Sequence, residues 1–562
     1  MTNHARFYIL LSIVMLVQIS GCVSDEVKDH DILNSYQQTL VHKGPQQRAG
    51  TEGIESLTVK PEITLPKLEV TRDVNTGKEI INLTIEQALT RALANNPVIR
   101  SISFEPDISK EDITKAAAEF DYTAFGNFNY SRDENPDNSL SDSLYGGISE
   151  GGIIKNYLYE AGIKQKGTTG LEWSTAWTLT RSWDNWTTRR LSTRYEPMLV
   201  FQIKQPLLRD AWAELNLAGL NISKLNYRIS FTAFRQKTQD IAVEVISAYW
   251  ALLQSRREME IQQWLLDKTQ ETLKKVEARK EIDATAIQIK QAEAYTKTRQ
   301  ATLIQAKKKI ADVQDLLMLL LADPNMNVLS KSEIVPVTTP NMTPMEFEPL
   351  DSLQIAMQNN PVIQQTRLKM EVAEINVDIA KNQKLPRLDV IASTELQGFA
   401  RHVDDAQDGM FNSNYTSYGI GLALEYPLGN RQRQAELRQR QLERAKALLD
   451  LQNISDEVAT QVKERIRNVD STYQEAMAQT EAVNAAKIQL EAIEAAETIR
   501  SQLTPEFLLV KLQAQETLAN AQRAEIEAIV GFNTALATLA QATGTVLELH
   551  QVQTALPLVS GK

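Results

Sequence analysis

From Leu220 to Asp323 the chain runs 104 residues without a glycine or a proline, and from Asn430 to Thr504 it does so again for 75. Both runs are rich in Ala, Gln, Glu, Lys, Arg and Leu. With no helix breaker inside them, they commit the chain to long amphipathic helices that pack as coiled coils. A helix of about 60 residues reaches about 90 Å, far more than a globular core requires. Each run must therefore turn once and come back. Thr504-Pro505 marks the second turn, with proline tolerated in a helix's first turn and Thr504 at the N-cap position. Lys280 to Thr285 is the corresponding place in the first run, where Ile282-Asp283 aligns with Leu503-Thr504.

The two runs belong to a duplication. Asn95-Asn96-Pro97-Val98-Ile99 recurs as Asn359-Asn360-Pro361-Val362-Ile363, an offset of 264. Ala88-Leu89 and Ala92-Leu93 precede the first copy as Ser352-Leu353 and Ala356-Met357 precede the second. Both are short helices that stop at Asn-Asn-Pro, because proline disfavours helix at the residue before it. A second landmark, Gln205-Pro206-Leu207 against Tyr426-Pro427-Leu428, is offset by 221. The difference of 43 is the size of an insertion in the first copy. The expected organisation is a first repeat over 83–324, a linker over 325–348, a second repeat over 349–548 and a tail over 549–562. Residues 22–82 form a polar tether.

Between the landmarks the period switches to two. Phe120 to Tyr130, Leu171 to Leu179, Leu199 to Ile203, Leu388 to Leu396 and Tyr418 to Tyr426 place apolar and aromatic residues on one face, and polar or tiny ones on the other. Segments near ten residues with this alternation suit a membrane barrel, lipid outside and water inside. A half-buried soluble sandwich shows the same alternation. The insertion offers a further hairpin, Tyr157 to Lys166, the turn Gly167-Thr168-Thr169-Gly170, then Leu171 to Trp183. Its tryptophans, Trp173, Trp177, Trp183 and Trp186, suit a membrane interface or an outer loop. The strands number four per chain, or six if this hairpin joins the sheet. The core strands lie at about 120–206 and 386–428, the long helices over 207–323 and 430–543.

The N-terminus reads as a targeting segment. Phe7 to Ile19 is an apolar run of signal-peptide length, too short to span a bilayer. It ends in Ile19-Ser20-Gly21-Cys22, which resembles a bacterial lipobox; residues 1–21 would be removed and Cys22 lipidated. A plain signal peptide with an incidental cysteine is the other reading. Cys22 is the chain's single cysteine, so it has no disulfide partner. Val23, in place of an Asp-like retention signal, favours the outer membrane. Beyond residue 22 no apolar run reaches transmembrane-helix length. A membrane crossing would then require strands closed into a barrel. Four strands cannot close around water, since about eight already fill with side chains. The chain must oligomerise, and three copies of four strands would make twelve.

Taken in order and in duplicate, these landmarks resemble the outer-membrane efflux protein family, the TolC-like channels, from about Leu83 to Leu547. The closing Asn533-Thr534-Ala535-Leu536-Ala537-Thr538-Leu539-Ala540-Gln541-Ala542-Thr543-Gly544 adds to the likeness, and the anchor resembles that of the lipoprotein branch. The resemblance implies an α+β membrane fold: tandem-duplicated helical hairpins plus strands contributing to a trimeric twelve-stranded barrel in the outer membrane. It implies a passive exit duct of a tripartite efflux or type I secretion system. It also implies a homotrimer docked to a periplasmic adaptor and an inner-membrane transporter.

The family's periplasmic gate has an Asp-Val-Leu-Asp-like pattern that falls on Glu506-Phe507-Leu508-Leu509. Glu506 keeps an acid and Leu509 does not, which weakens any expectation of strong cation selectivity. One carboxylate per chain would become a ring attracting cations; alternatively, Glu506 only complements its helix dipole. The net charge of -11 argues against nucleic acid. His4, His30, His42, His402 and His550 form no metal-ligand spacing. Neither a catalytic motif nor a cofactor motif is present, so no enzyme activity, metal or cofactor is expected. A structural coiled-coil lipoprotein without transport activity is the alternative function, although it needs no barrel strands. A soluble periplasmic enzyme lacks a site. The exported substrate leaves no trace in the sequence.

Overall fold

The computed structural model describes residues 68–72, 79–135, 152–185, 191–281, 285–326, 332–412, 415–499 and 504–549. The leader, Cys22, most of the tether and nearly all of the C-terminal tail lie outside them. In chain order the elements are β1 (Glu69–Arg72), β2 (Glu79–Leu83), α1 (Ile85–Asn95), α2 (Pro97–Ile102), α3 (Phe104–Ala117), β3 (Thr123–Asn135), β4 (Gly152–Lys166), β5 (Glu172–Asp184) and β6 (Thr193–Pro206). Then come α4 (Ala218–Ala278), α5 (Ala286–Leu321), β7 (Glu333–Pro336), α6 (Pro349–Asn359), α7 (Pro361–Gln383), β8 (Arg387–Gln397), α8 (Val403–Phe411), β9 (Tyr415–Glu425), α9 (Arg431–Ile499) and α10 (Pro505–Thr543). The chain divides into two compact units, one of residues 1–104, 234–361 and 455–562, the other of 105–233 and 362–454.

The long helices follow from the breaker-free runs. α4 has 61 residues and α9 has 69. In the first unit they pack through small apolar clusters at helical spacing, such as Val469 with Phe532, Ala535 and Leu539. Thr504 caps α10 by accepting from the Phe507 N–H. Thr285 caps α5 in a reciprocal box with Gln288.

Each Asn-Asn-Pro joins two helices where the sequence suggested only a stop. Pro97 and Pro361 occupy the first turns of α2 and α7, where a missing N–H costs nothing. Asn96 Oδ1 accepts from the Val98 and Ile99 N–H groups, at 2.9 and 3.4 Å. Its Nδ2 donates to the Leu320 carbonyl in the last turn of α5, at 2.9 Å. Asn360 Nδ2 donates to the Ala542 carbonyl in the last turn of α10, also at 2.9 Å. The repeated motif thus fastens the first helical pair of each copy to the end of that copy's last long helix. Both asparagines are buried, so Asn96→Ala and Asn360→Ala are expected to cost about 1–3 kcal/mol apiece. The loss would be read as faster hydrogen exchange in α2 or α7.

A three-stranded sheet, β1-β2-β7, also lies in the first unit; β1 is antiparallel to β2, and β2 is parallel to β7. Residues 333–336, within the stretch read as a linker, are therefore a strand. Buried Tyr249 of α4 secures this sheet: its hydroxyl donates to the Leu83 carbonyl at 2.9 Å and accepts from the Thr338 N–H at 3.0 Å. Burial pushes the phenol pKa up. Asn533 of α10 holds residue 341 from both sides, accepting from its N–H and donating to its carbonyl, each at 3.0 Å.

The second unit contains a six-stranded antiparallel sheet in the order β3-β4-β5-β6-β8-β9. The α+β architecture, long helices with an antiparallel sheet, is the one expected. The strand count takes the higher of the two values left open: among the described residues the inserted hairpin joins the sheet, which has six strands, and the twelve built on four per chain no longer follows.

Candidate functional site

The sheet of the second unit has two chemically distinct faces. Strand register places Tyr418, Ile420, Leu422 and Leu424 of β9 beside Thr394, Ala392, Val390 and Leu388 of β8. The same face continues through Leu199, Phe201 and Ile203 of β6, then Trp177, Thr175 and Trp173 of β5. It ends on Tyr157, Tyr159 and Ile163 of β4 and Tyr130, Phe128 and Ala124 of β3. Tyr418 is 90% exposed and Ile420 83%, on a face too large and apolar to be left to water. Trp173 and Trp183 lie ten residues apart on β5, near opposite ends of this face. On a strand tilted by about 40° that spacing gives about 25 Å, the height of a hydrocarbon band between aromatic girdles.

The opposite face is polar and carries its charges in pairs. Lys204 lies 3.1 Å from Glu172 and 3.9 Å from Asp389, which also accepts from Arg387 at 2.8 Å. Toward the other end Arg194 reaches Asp184 at 2.6 Å and Glu196 at 2.8 Å. Gly419, Gly421 and Ala423 keep β9 smooth on this side. Among the described residues β3 and β9 each have a neighbour on one side only. A sheet with one lipid-compatible face and two open edges cannot sit in a bilayer alone.

In the first unit, Glu506 lies in the opening turn of α10 and is exposed. Among the described residues no ion pair engages it. The opposite side of this turn is pinned. Leu508 and Leu512 pack with Val276, Ile289 and Tyr295. Buried Lys511 donates to Glu497 at 2.5 Å. Buried Arg299 of α5 donates to Thr269 of α4 and to the Leu512 carbonyl of α10. Burial lowers the Arg299 pKa from its usual value, with Glu516 and Tyr295 acting in the opposite sense. The exposed stripe of α10 continues from Glu506 through Leu509, Val510 and Gln513 to Glu516. Sequence reasoning passed over Glu516; the signal was its place on the same helical face, since residues three, four and seven apart share one side.

His402 stands at the N-cap of α8; the other four histidines and Cys22 fall outside the described residues. Among the described residues no cluster of His, Cys, Asp and Glu could hold a metal, and no helix is long and apolar enough to cross a membrane.

Residues 352–545 match the family model described as outer membrane efflux protein. The fold is similar to that of the CmeC outer membrane channel of Campylobacter jejuni, at 13% identity over 82% of this chain and 86% of that one, with a TM-score of 0.60. It is similar to the outer membrane protein VceC of Vibrio cholerae, at 16% identity over 82% and 96%, TM-score 0.58. It is similar also to the MtrE outer membrane channel of Neisseria gonorrhoeae, at 15% identity over 82% and 89%, TM-score 0.57. No curated protein matches the chain.

Proposed function

We propose that this chain, an outer membrane efflux protein by its domain at 352–545 and by its channel fold, is the passive exit duct of a tripartite efflux or type I secretion system. The two-faced sheet with open edges carries the reading. Strand directions alternate through β3, β4, β5, β6, β8 and β9, so the last runs opposite to the first. β9 of one copy can therefore join β3 of the next antiparallel and with apolar faces aligned, and such a head-to-tail contact closes into a ring. Six strands in one chain are too few to enclose water. Three copies make the ring; an adaptor and an inner-membrane transporter supply the energy, because the duct carries no motif for spending any.

The test is a purified chain run unheated on a denaturing gel and then inserted into planar bilayers. A heat-sensitive trimer that conducts supports the duct. A monomer that conducts nothing overturns it in favour of a coiled-coil spacer.

Cys22 anchors the mature chain through lipid and residues 22–82 tether it, a reading supported by the small residues that precede Cys22. Cys22→Ser is expected to abolish palmitate labelling, and persistent label would refute the anchor. Glu506 is the proposed gate acid, supported by its exposure on the unpinned side of the α10 tip. A ring of three such carboxylates attracts cations. Glu506→Gln should move the reversal potential across a salt gradient toward anion permeation, and an unchanged potential would remove Glu506 from the constriction.

A further inference from the structure

We infer that the inserted hairpin β4–β5 is part of the membrane wall, so that three copies close a barrel of eighteen strands, six from each chain. The inference rests on the three-copy duct proposed above and adds to it the width of the bore.

The hairpin lies inside the sheet. β4 pairs with β3 from Thr123↔Lys164 to Asn135↔Gly152, along the whole of β3 and all but the last two residues of β4. β5 pairs with β6 from Glu172↔Lys204 to Trp183↔Thr193. A decorative loop would not replace the ladder between β3 and β6 over their full length.

Both faces of the hairpin continue those of its neighbours. On the apolar face Tyr159 meets Phe128 at 5.1 Å and Tyr157 meets Tyr130 at 4.8 Å. Trp173 touches Tyr122 and Phe201, at 6.1 and 6.4 Å. On the polar face Glu160 accepts from Asn127 at 2.8 Å, and Glu172 accepts from Lys204 at 3.1 Å. Gly162 lets Phe125 lie flat across the seam; a Cβ there would stand 2.6 Å from that ring and 2.5 Å from the Thr175 carbonyl. The hairpin is built to be crossed by the sheet.

The hairpin is also removable in principle. β3 ends, and β6 begins, at the same end of the sheet, because β4 and β5 together go down and return. Without them β3 and β6 would still be antiparallel, with Phe128 and Phe201 on a common face. The insertion of 43 residues therefore adds one whole hairpin and disturbs nothing in the register that remains.

Barrel diameter grows roughly linearly with strand number. At about 4.8 Å between strands and a tilt of about 40°, twelve strands give a backbone diameter of about 24 Å and eighteen about 36 Å. Barrels of sixteen to eighteen strands leave an aqueous channel. The membrane section of this duct is then wide, and whatever limits cargo size lies elsewhere in the molecule.

The experiment places a spin label at Ala392→Cys, on the apolar face of β8 outside the hairpin, in the full-length purified protein, with the wild-type chain as label background. Pulsed dipolar spectroscopy reads the separation between protomers. Threefold symmetry sets the Cα separation at about 31 Å for eighteen strands and about 21 Å for twelve, with the label arm lengthening both equally. The longer value supports the inference, as does contraction by about 10 Å when residues 150–192 are deleted. The shorter value in the intact chain overturns it while leaving the three-copy duct standing. If no separation is seen between protomers, the duct falls and the wide barrel with it. Should the deletion variant fail to fold, the intact chain's separation alone decides.

Discussion

Arg91→Ala is expected to loosen the first repeat by about 3–5 kcal/mol, because it leaves the Asp323 carboxylate charged and buried. Arg91 of α1 is 3% exposed and bonds to Asp323, whose side chain has no exposed surface, just beyond the end of α5. Taking a carboxylate out of water costs several kcal/mol, and only an opposing charge with good geometry returns it. The other oxygen of Asp323 accepts the Asn325 N–H at 2.9 Å, which fixes the carboxylate but leaves its charge unopposed. The loss would be measured as the opening free energy of α1 amides by hydrogen exchange. The double variant Arg91→Met with Asp323→Leu should recover most of it, since apolar residues of similar volume replace such pairs at little cost. A single variant as protected as wild type would mean that the pair contributes nothing. The second repeat has no equivalent pair: when the Asn-Asn-Pro motifs and the left-handed C-caps Ala322 and Gly544 are aligned, Ile355 and Thr545 stand at these positions, neither of them charged.

What the sequence disclosed was what repeats with a period. Gly- and Pro-free runs declared α4, α5 and α9, and Thr504-Pro505 marked the start of α10, which the structure shows capped. Alternation declared the apolar face of β9, because Tyr418, Ile420, Leu422 and Leu424 need no partner to be recognised. Elements whose existence depends on distant pairing stayed hidden. β7 has four residues and pairs with β2 some 250 positions earlier, as Ile81 with Ile334, so no local pattern exposes it. α2, α3 and α7 were missed because Pro97 and Pro361 were read only as stops. Whether the hairpin joined the sheet depended on its register with β3 and β6, which composition does not encode. At the tip, Glu506 was legible as an acid in a helix's first turn, whereas the pinning of the opposite side by Lys511 and Arg299 required the folded coordinates. The charge pairs on the polar face, such as Lys204 with Glu172, likewise join residues that only the register brings together.

Gly544→Val is expected to cost the second repeat about 3 kcal/mol or more, the sum of a left-handed backbone strain of about 1–3 kcal/mol and a backbone collision. Gly544 ends α10 at φ 78°, the left-handed cap that glycine accepts without penalty. Conformation alone does not explain the residue, because the matching position in the first repeat is Ala322, at φ 45°. The first copy thus tolerates a side chain in the same backbone region. What distinguishes the second is proximity: a Cβ on Gly544 would stand 2.5 Å from the Asn359 carbonyl oxygen and 2.8 Å from its carbon. These are backbone atoms of the Asn-Asn-Pro corner, held by the Asn360 bond to Ala542, so they cannot swing aside. The Gly544 carbonyl also accepts from Gln239 Nε2 at 2.9 Å and Arg235 at 3.4 Å, so a displaced cap would break contacts to α4 as well. Gly544→Ala should already lose more than the strain alone, and Ala322→Gly should change little, since relief of strain offsets added chain entropy. Thermal unfolding of the purified protein in detergent would rank the three. If Gly544→Ala and Ala322→Gly proved equally mild, close approach would not be what reserves position 544 for glycine.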